Sequence, residues 1–293
     1  MKKLLFLSGK GGTGKTTTAA AFAYFSGAKA LADCDVDAPN LHLVTDLSVQ
    51  PEVSEFIGAE KATIDPEQCM GCGQCMMFCR FDAIRREGVV CQVDEYACEG
   101  CGVCAHVCPV QAVTLQSDRA GEKQLYKGDT VFSTARLKMG RGNSGKLVTE
   151  VKLALLKNAP DTALALIDGS PGIGCPVIAS VSGVDLVLVV AEASKSGISD
   201  LHRLLETAKT FRTQLAVCVN KWDVSPAHTQ EIEDYCAAEG IPFVGKIPYD
   251  RTVAQAINAG HSLAAYPCPA SDALYEVYCR TMELMELPAE KRA

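Results

Sequence analysis

The chain has 293 residues, of which 48% are hydrophobic and 22% charged, with a formal net charge of −7. That length favours one large and one small domain around real cores. The acidic balance excludes nucleic acid as the main partner, because phosphate backbones demand a basic surface. No run is apolar and long enough to span a bilayer, so no membrane partner is expected.

The first residues, Met1-Lys2-Lys3-Leu4-Leu5-Phe6-Leu7-Ser8, are too short an apolar stretch for a signal peptide. They predict a buried strand over 4–8 that runs into a Gly-rich loop. An Ala/Thr-rich helix over 15–25 and a second strand over 28–33 follow. Strands alternating with helices predict a parallel α/β sheet. The rhythm stops near residue 58, and two cysteine runs occupy about 60–117. Residues 118–145 read as polar, Gly-rich connection. The α/β pattern then resumes with a helix near 147–156 and strands over 163–167, 185–190, 214–219 and 243–247. Helices near 197–211, 226–238 and 251–258 separate those strands. The last helix, 271–287, carries Asp272, Glu276, Glu283 and Glu286, so it is not a basic membrane-gripping type.

Gly9-Lys10-Gly11-Gly12-Thr13-Gly14-Lys15-Thr16-Thr17 follows a strand and opens a helix, the context of a phosphate-cradling loop. Glycines let backbone N–H groups converge on phosphate oxygens, and the helix start adds positive potential. Lys15 is expected on the β/γ-phosphates of ATP and the Thr16 hydroxyl on Mg2+. A flexible turn would explain the glycines but not Lys15-Thr16 at a helix start.

With Lys10 after the first glycine, the loop resembles the deviant Walker A of the MinD/ParA/nitrogenase-Fe-protein class of ATPases. The resemblance implies a dimer in which Lys10 reaches the partner's nucleotide. It continues through Asp33-Cys34-Asp35-Val36-Asp37-Ala38-Pro39-Asn40-Leu41, which resembles switch I. Asp35 would there position or activate the attacking water, with Asp37 the weaker candidate. Asp168-Gly169-Ser170-Pro171-Gly172 resembles Walker B running into switch II. It implies that Asp168 holds Mg2+ through water and that the Gly172 N–H senses the γ-phosphate. Asn220-Lys221-Trp222-Asp223 matches the stretch where this class reads adenine, through the Asn220 amide. Pro248, in Ile247-Pro248-Tyr249-Asp250, stands where a loop closes over the base.

Fifteen cysteines would suit a secreted disulfide scaffold. The chain is too large to need stapling, however, and eight of them stand at ligand spacing, which predicts a reducing, cytoplasmic compartment. Cys69-x-x-Cys72-x-x-Cys75-x-x-x-Cys79 recurs 29 residues later as Cys98-x-x-Cys101-x-x-Cys104-x-x-x-Cys108-Pro109. This spacing suits thiolates around a cubic iron–sulfur cluster, and two copies imply two clusters. A zinc ribbon is the alternative, since paired C-x-x-C units bind zinc well. The repeat resembles a bacterial two-cluster ferredoxin, in which each fourth cysteine serves the other cluster. That resemblance assigns Cys69, Cys72, Cys75 and Cys108 to one 4Fe-4S cluster, and Cys98, Cys101, Cys104 and Cys79 to the other. Arg80 departs from the pattern where a proline is expected. The remaining cysteines, Cys34, Cys91, Cys175, Cys218, Cys236, Cys268 and Cys279, are expected to be mostly small buried hydrophobes. Cys175 matches a cluster-bridging cysteine of the nitrogenase Fe protein, but Asn143 stands in place of the second one, so a buried or interface thiol is expected.

As a whole the chain resembles MinD-superfamily P-loop ATPases with an inserted two-cluster ferredoxin domain. The implied architecture is a P-loop parallel sheet over 1–59 and 118–293, with an α+β ferredoxin-type domain over 60–117. The implied function is ATP hydrolysis that gates electron transfer to an unidentified redox partner, in a homodimer or a dimer with a paralogue. Two alternatives are an iron–sulfur carrier or scaffold, as in the Mrp-like branch, and a MinD/ParA-like positioning ATPase.

Overall fold

A computed structural model describes residues 1–289. In chain order its elements are β1 Lys2–Leu7, α1 Lys15–Ser26, β2 Ala30–Asp33, β3 Glu52–Ile64, α2 Gln74–Met77, β4 Ile84–Glu87, β5 Val90–Val93, α3 Val103–Val107, β6 Val113–Lys127 and β7 Val131–Leu137. Then come α4 Ser144–Asn158, β8 Leu164–Asp168, α5 Cys175–Val181, β9 Leu186–Glu192, α6 Lys195–Lys209, β10 Gln214–Asn220, α7 Pro226–Ala238, β11 Phe243–Ile247, α8 Thr252–Asn258 and α9 Pro269–Leu284. The chain forms two compact units. The first comprises Met1–Val53, Lys123–Arg136 and the chain from Ser144 on, and the second Ser54–Glu122 and Leu137–Asn143.

The first unit is built on a mostly parallel sheet in which β11, β10, β9, β1, β8, β2 and β7 stand side by side in that order. The pairs β1/β8, β1/β9, β9/β10, β10/β11, β2/β8 and β2/β7 are all parallel. Strand β1 is central because Leu4 to Leu7 are apolar on both faces, and all four are fully buried. Leu4 and Phe6 face the layer of α1 and α9, where the Phe6 ring lies 5.0 Å from Phe22 and Phe22 lies 5.3 Å from Tyr278, both edge-on. Each such ring buried contributes about 1.5–3 kcal/mol. Helix α1 is bounded by Gly14 and Gly27 in left-handed conformation, the second a common helix stop. The register sets Phe6 and Asp33 level with Asp168, and Leu7 level with Val189. The loops leaving the carboxyl ends of β1, β2, β8 and β10 therefore gather at one edge, where open α/β sheets bind ligands.

The connection expected over 118–145 is corrected by the structure, as is the end of the α/β rhythm at residue 58. Most of 118–137 is strand, and β3 begins at Glu52. In β7 the polar Ser133 and Thr134 are buried, and Ser133 Oγ donates to the Val151 carbonyl at 2.9 Å. Two buried hydroxyls, one of them (Thr134 Oγ1) without a partner in the protein, hide this strand from any reading by hydrophobicity. Helix α5, too short and too broken by Gly172 and Gly174 to show a period, also escaped the sequence reading.

The second unit turns the sequence repeat into a structural one. The Asp65 N–H donates to the Ala112 carbonyl at 2.8 Å, and the Asp94 N–H donates to the Ala83 carbonyl at 2.7 Å. Gly71 and Gly100 have φ of 66° and 65°, and Gly73 and Gly102 both have 77°. A Cβ at Gly71 would stand 2.0 Å from the Val89 carbonyl oxygen, and one at Gly100 1.9 Å from that of Glu60, so only glycine fits either place. Strands β4 and β5 form an antiparallel hairpin with Ile84 opposite Val93. The small core holds Ala62, Ala83, Ile84 and Val113 beside four buried cysteines.

Candidate functional site

The loop 9–17 wraps the end of β1 and starts α1, and a cavity of about 680 Å³ opens beside it. Gly12 and Gly14 take φ of 80° and 95°. A Cβ at Gly9 would stand 2.2 Å from Asp200 Cβ, and one at Gly14 2.2 Å from Asn220 Nδ2. Helix α6 and the end of β10 thus approach too closely for any other residue. Thr13 Oγ1 is buried and has no hydrogen-bond partner in the protein. Such an orphaned donor in a loop of converging amides fits an anionic ligand.

The charged groups meet at the loop's far end. Lys15 Nζ lies 2.5 Å from Asp168 Oδ1, and Thr16 Oγ1 donates to Asp168 Oδ2 at 2.6 Å. Lys15 is 6% exposed and Asp168 fully buried. Burial opposes the Lys15 charge, but Asp168 first and Asp33 and Asp35 after it more than offset this and hold its pKa up. Thr16 and Asp168 supply the hydroxyl and carboxylate oxygens that suit Mg2+.

Asp33, to which the sequence reading gave no role, organises the next loop. Its carboxylate accepts from the N–H groups of Asp35 at 3.0 Å, Asn40 at 2.8 Å and Leu41 at 2.9 Å. Burial, followed by the Asp168 charge, lifts its pKa to about 7. Asp35 lines the cavity and is also pushed up by burial, with Lys15 pulling the other way. Asp37 lines it too. Ser170, another residue without an expected role, joins the two loops by donating to the Cys34 carbonyl at 2.6 Å. A strand-end carboxylate was the legible signal for Asp33; nothing in the sequence marked Ser170.

Asn220 and Pro248 line the same cavity, whose wall continues through Ile247, Tyr249 and Val253. This apolar stretch fits a planar base. Asn220 Nδ2 is engaged with the phosphate loop itself, donating to the Thr13 carbonyl at 2.7 Å. Gly172 departs from expectation: its N–H donates to the Ser8 carbonyl at 2.9 Å, and the residue is not part of the cavity wall. A φ of 92° at Gly172 turns that N–H back onto the end of β1. Lys10 pairs with Glu192 at the end of β9, with Ser196 Oγ at 3.1 Å and Ser194 Oγ at 3.4 Å. Neither Glu192 nor the two serines had stood out in the sequence.

In the second unit the eight repeat cysteines divide between two cavities. One, a small space of about 20 Å³, is lined by Cys79, Cys98, Cys101 and Cys104. The other, of about 10 Å³, is lined by Cys69, Cys72, Cys75 and Cys108. Each fourth cysteine therefore faces the cavity of the other run. The Gly100 N–H donates to Cys98 Sγ at 3.4 Å and the Ala112 N–H to Cys108 Sγ at 3.3 Å, contacts that favour thiolates. The N–H groups of Cys91 and Gly71 hold the Cys69 thiol below its ordinary pKa, while burial pushes Cys75 up to about 12.

Among the described residues no three His, Cys, Asp or Glu side chains converge closely enough to hold a single metal ion. All fifteen cysteines are unbridged. Of the seven outside the repeats, Cys34, Cys91, Cys218, Cys236 and Cys268 are buried, while Cys175, expected to be a buried or an interface thiol, is exposed at the start of α5, which removes the buried option. Among the described residues no helix is long and apolar enough to cross a membrane.

Known proteins place the first of these sites in a family. The model of the CobQ/CobB/MinD/ParA nucleotide binding domain matches residues 4–263. The chain is 36% identical over 227 residues to the uncharacterized protein MJ0578 of Methanocaldococcus jannaschii, covering 75% of this chain and 78% of the relative. Its fold is similar to the cell division ATPase MinD of Pyrococcus furiosus, with a TM-score of 0.58, 17% identity and coverage of 97% and 99% of the two chains. MinD of Pyrococcus horikoshii, solved with Mg-ADP, is similar at a TM-score of 0.57 and 16% identity, with 97% of each chain covered. With a phosphate loop, a buried Lys15–Asp168 pair and a family match over most of its length, the chain belongs to the CobQ/CobB/MinD/ParA nucleotide-binding family.

Proposed function

We propose that this chain is a nucleotide-driven switch that binds Mg-ATP at residues 9–17 and carries two 4Fe-4S clusters in its second unit. The observation behind the cluster reading is the crossed division of cysteines, Cys79 with Cys98, Cys101 and Cys104, and Cys108 with Cys69, Cys72 and Cys75. Neither zinc ribbons formed within each run nor disulfides call for that crossing. When bound, such clusters supply one-electron transfer. The chain's own groups would hold them through eight thiolates, supported by the Gly100 and Ala112 N–H groups at Cys98 and Cys108.

At the nucleotide, Lys15 would neutralise the β/γ-phosphates and Thr16 would ligate Mg2+, with Asp168 behind it. Pro248 and Asn220 would flank the base. Asp35 would orient the attacking water, and Lys10 would act on the nucleotide of a partner copy. The second unit lies in sequence between the Asp35 loop and the Asp168 loop. Ordering of those loops by Mg-ATP is how we infer that nucleotide state controls electron exchange with a redox partner. The Mg-ADP complex of the Pyrococcus horikoshii MinD supports the nucleotide half of this reading.

The test is anaerobic purification followed by metal and sulfide analysis. About eight iron atoms and as many sulfides per chain are expected. Cys79→Ala should then cost the cluster that Cys98, Cys101 and Cys104 hold and leave the other. Zinc in place of iron, or loss of the cluster of Cys79's own run, would overturn the reading.

A further inference from the structure

The 29-residue repeat sets Cys91 of β5 against Ala62 of β3. Their equivalence is spatial as well as sequential. Glu60 and Val89, which press on Gly100 and Gly71 through the same carbonyl contact, are also 29 apart. Ala62 lines the cavity of Cys79, Cys98, Cys101 and Cys104, and Cys91 lines the cavity of Cys69, Cys72, Cys75 and Cys108. The walls differ at several equivalent places, among them Met70 against Glu99, Gln74 against Val103 and Val110 against Phe81, and at one of them a thiol faces a methyl.

Cys91 is well placed to use that thiol. It is 2% exposed. It shares the cavity wall with Cys69 and Cys75, and its N–H and thiol help to hold the Cys69 thiol below its ordinary pKa. It is thus a fifth sulfur against two of the four ligand positions, and the eight-cysteine repeat leaves it unused. A donor to a ligand sulfur withdraws charge and stabilises the reduced, more negative cluster, which raises the reduction potential.

We propose that Cys91 is a positioning residue that donates to the Cys69 sulfur of one cluster and makes that cluster easier to reduce than it would be without the thiol. The inference rests on the two-cluster reading above. A bound cluster would supply one-electron transfer, and Cys91 would support it from the cavity wall without serving as a ligand.

The experiment uses the full chain, purified anaerobically, as wild type, Cys91→Ala, Cys91→Ser and Ala62→Cys. Iron and sulfide are counted, and each cluster's midpoint potential is followed by electron paramagnetic resonance during redox titration. All four proteins should hold about eight iron atoms. Cys91→Ala should lower one midpoint and leave the other unmoved. Cys91→Ser, which keeps a donor, should recover most of that drop, and Ala62→Cys should raise the second midpoint. Full iron with both midpoints unmoved in Cys91→Ala would overturn this inference alone. Loss of about half the iron in Cys91→Ala and Cys91→Ser would also overturn it, because Cys91 would then be a ligand. A wild-type chain without iron and sulfide would overturn the two-cluster reading together with it.

Discussion

Lys15 and Asp168 form a buried ion pair, Nζ to Oδ1 at 2.5 Å, between the first turn of α1 and the end of β8. The pair joins the group that would meet phosphate to the group that would stand behind Mg2+. Removing one partner leaves the other charge buried and unpaired, which costs about 3–5 kcal/mol. Lys15→Ala is therefore expected to abolish tight ATP binding and to lower stability by roughly that amount, read by calorimetry and urea unfolding. The double variant Lys15→Met/Asp168→Leu should lose less stability than the two single losses summed. Additive losses would show that the pair is not coupled.

Lys10 is held within its own chain by Glu192, Ser194 and Ser196. If it serves a partner's nucleotide, that contact must open. Lys10→Ala should keep nucleotide affinity within about threefold, a difference under 1 kcal/mol, and slow hydrolysis much more. Glu192→Gln should speed hydrolysis by releasing Lys10. Mixing Lys10→Ala with Lys15→Ala chains should regain activity that neither has alone, and no recovery would count against action across a dimer.

Asp33 gives a pH signature. Its pKa rises to about 7 on folding, by burial first and Asp168 second, from about 4 in an unfolded chain. The folded state therefore binds the extra proton between these values. Stability should fall as pH rises through that window, and the loss should be complete above about pH 7. Asp33→Asn cannot ionise, so urea unfolding of the variant should show a flatter slope than wild type from about pH 4 to 7. Parallel slopes would contradict the shift.

Lys152 of α4 closes the carboxyl end of α5. Its Nζ donates to the carbonyls of Ala179 at 2.8 Å, Ser180 at 2.6 Å and Ser182 at 2.6 Å. These are the carbonyls that a helix end leaves without partners. Lys152→Met keeps the buried stem and strips the three bonds, so a loss of about 2–4 kcal/mol in unfolding free energy is expected. A change below about 0.5 kcal/mol would show that water serves those carbonyls equally well.

Several features were legible because they are local. Gly9 to Thr16 can be recognised from chain conformation alone, since a helix start and its glycines are consecutive residues. The cysteine runs are equally local, and the helices expected over 15–25 and near 226–238 followed from local composition and end signals. Strands β6 and β7 were lost in a polar stretch because a strand's stability lies in its ladder partners, which here come from distant segments.

The amino-acid sequence by itself determined the α/β sheet, the phosphate loop with Lys15 and Thr16, and a duplicated cysteine unit, all set by spacing within a few turns of chain. Only the tertiary structure decided that Asp33 stands level with Asp168, that Lys10 meets Glu192, and that Gly172 turns its N–H to Ser8. The exchange of Cys79 and Cys108 was already implied by the ferredoxin resemblance, but the structure alone decided that Cys91 faces one cavity while Ala62 faces the other. The reason is physical: these are encounters between segments far apart in sequence, fixed by which hydrophobic faces pack and which strands share a ladder, and no local spacing encodes them.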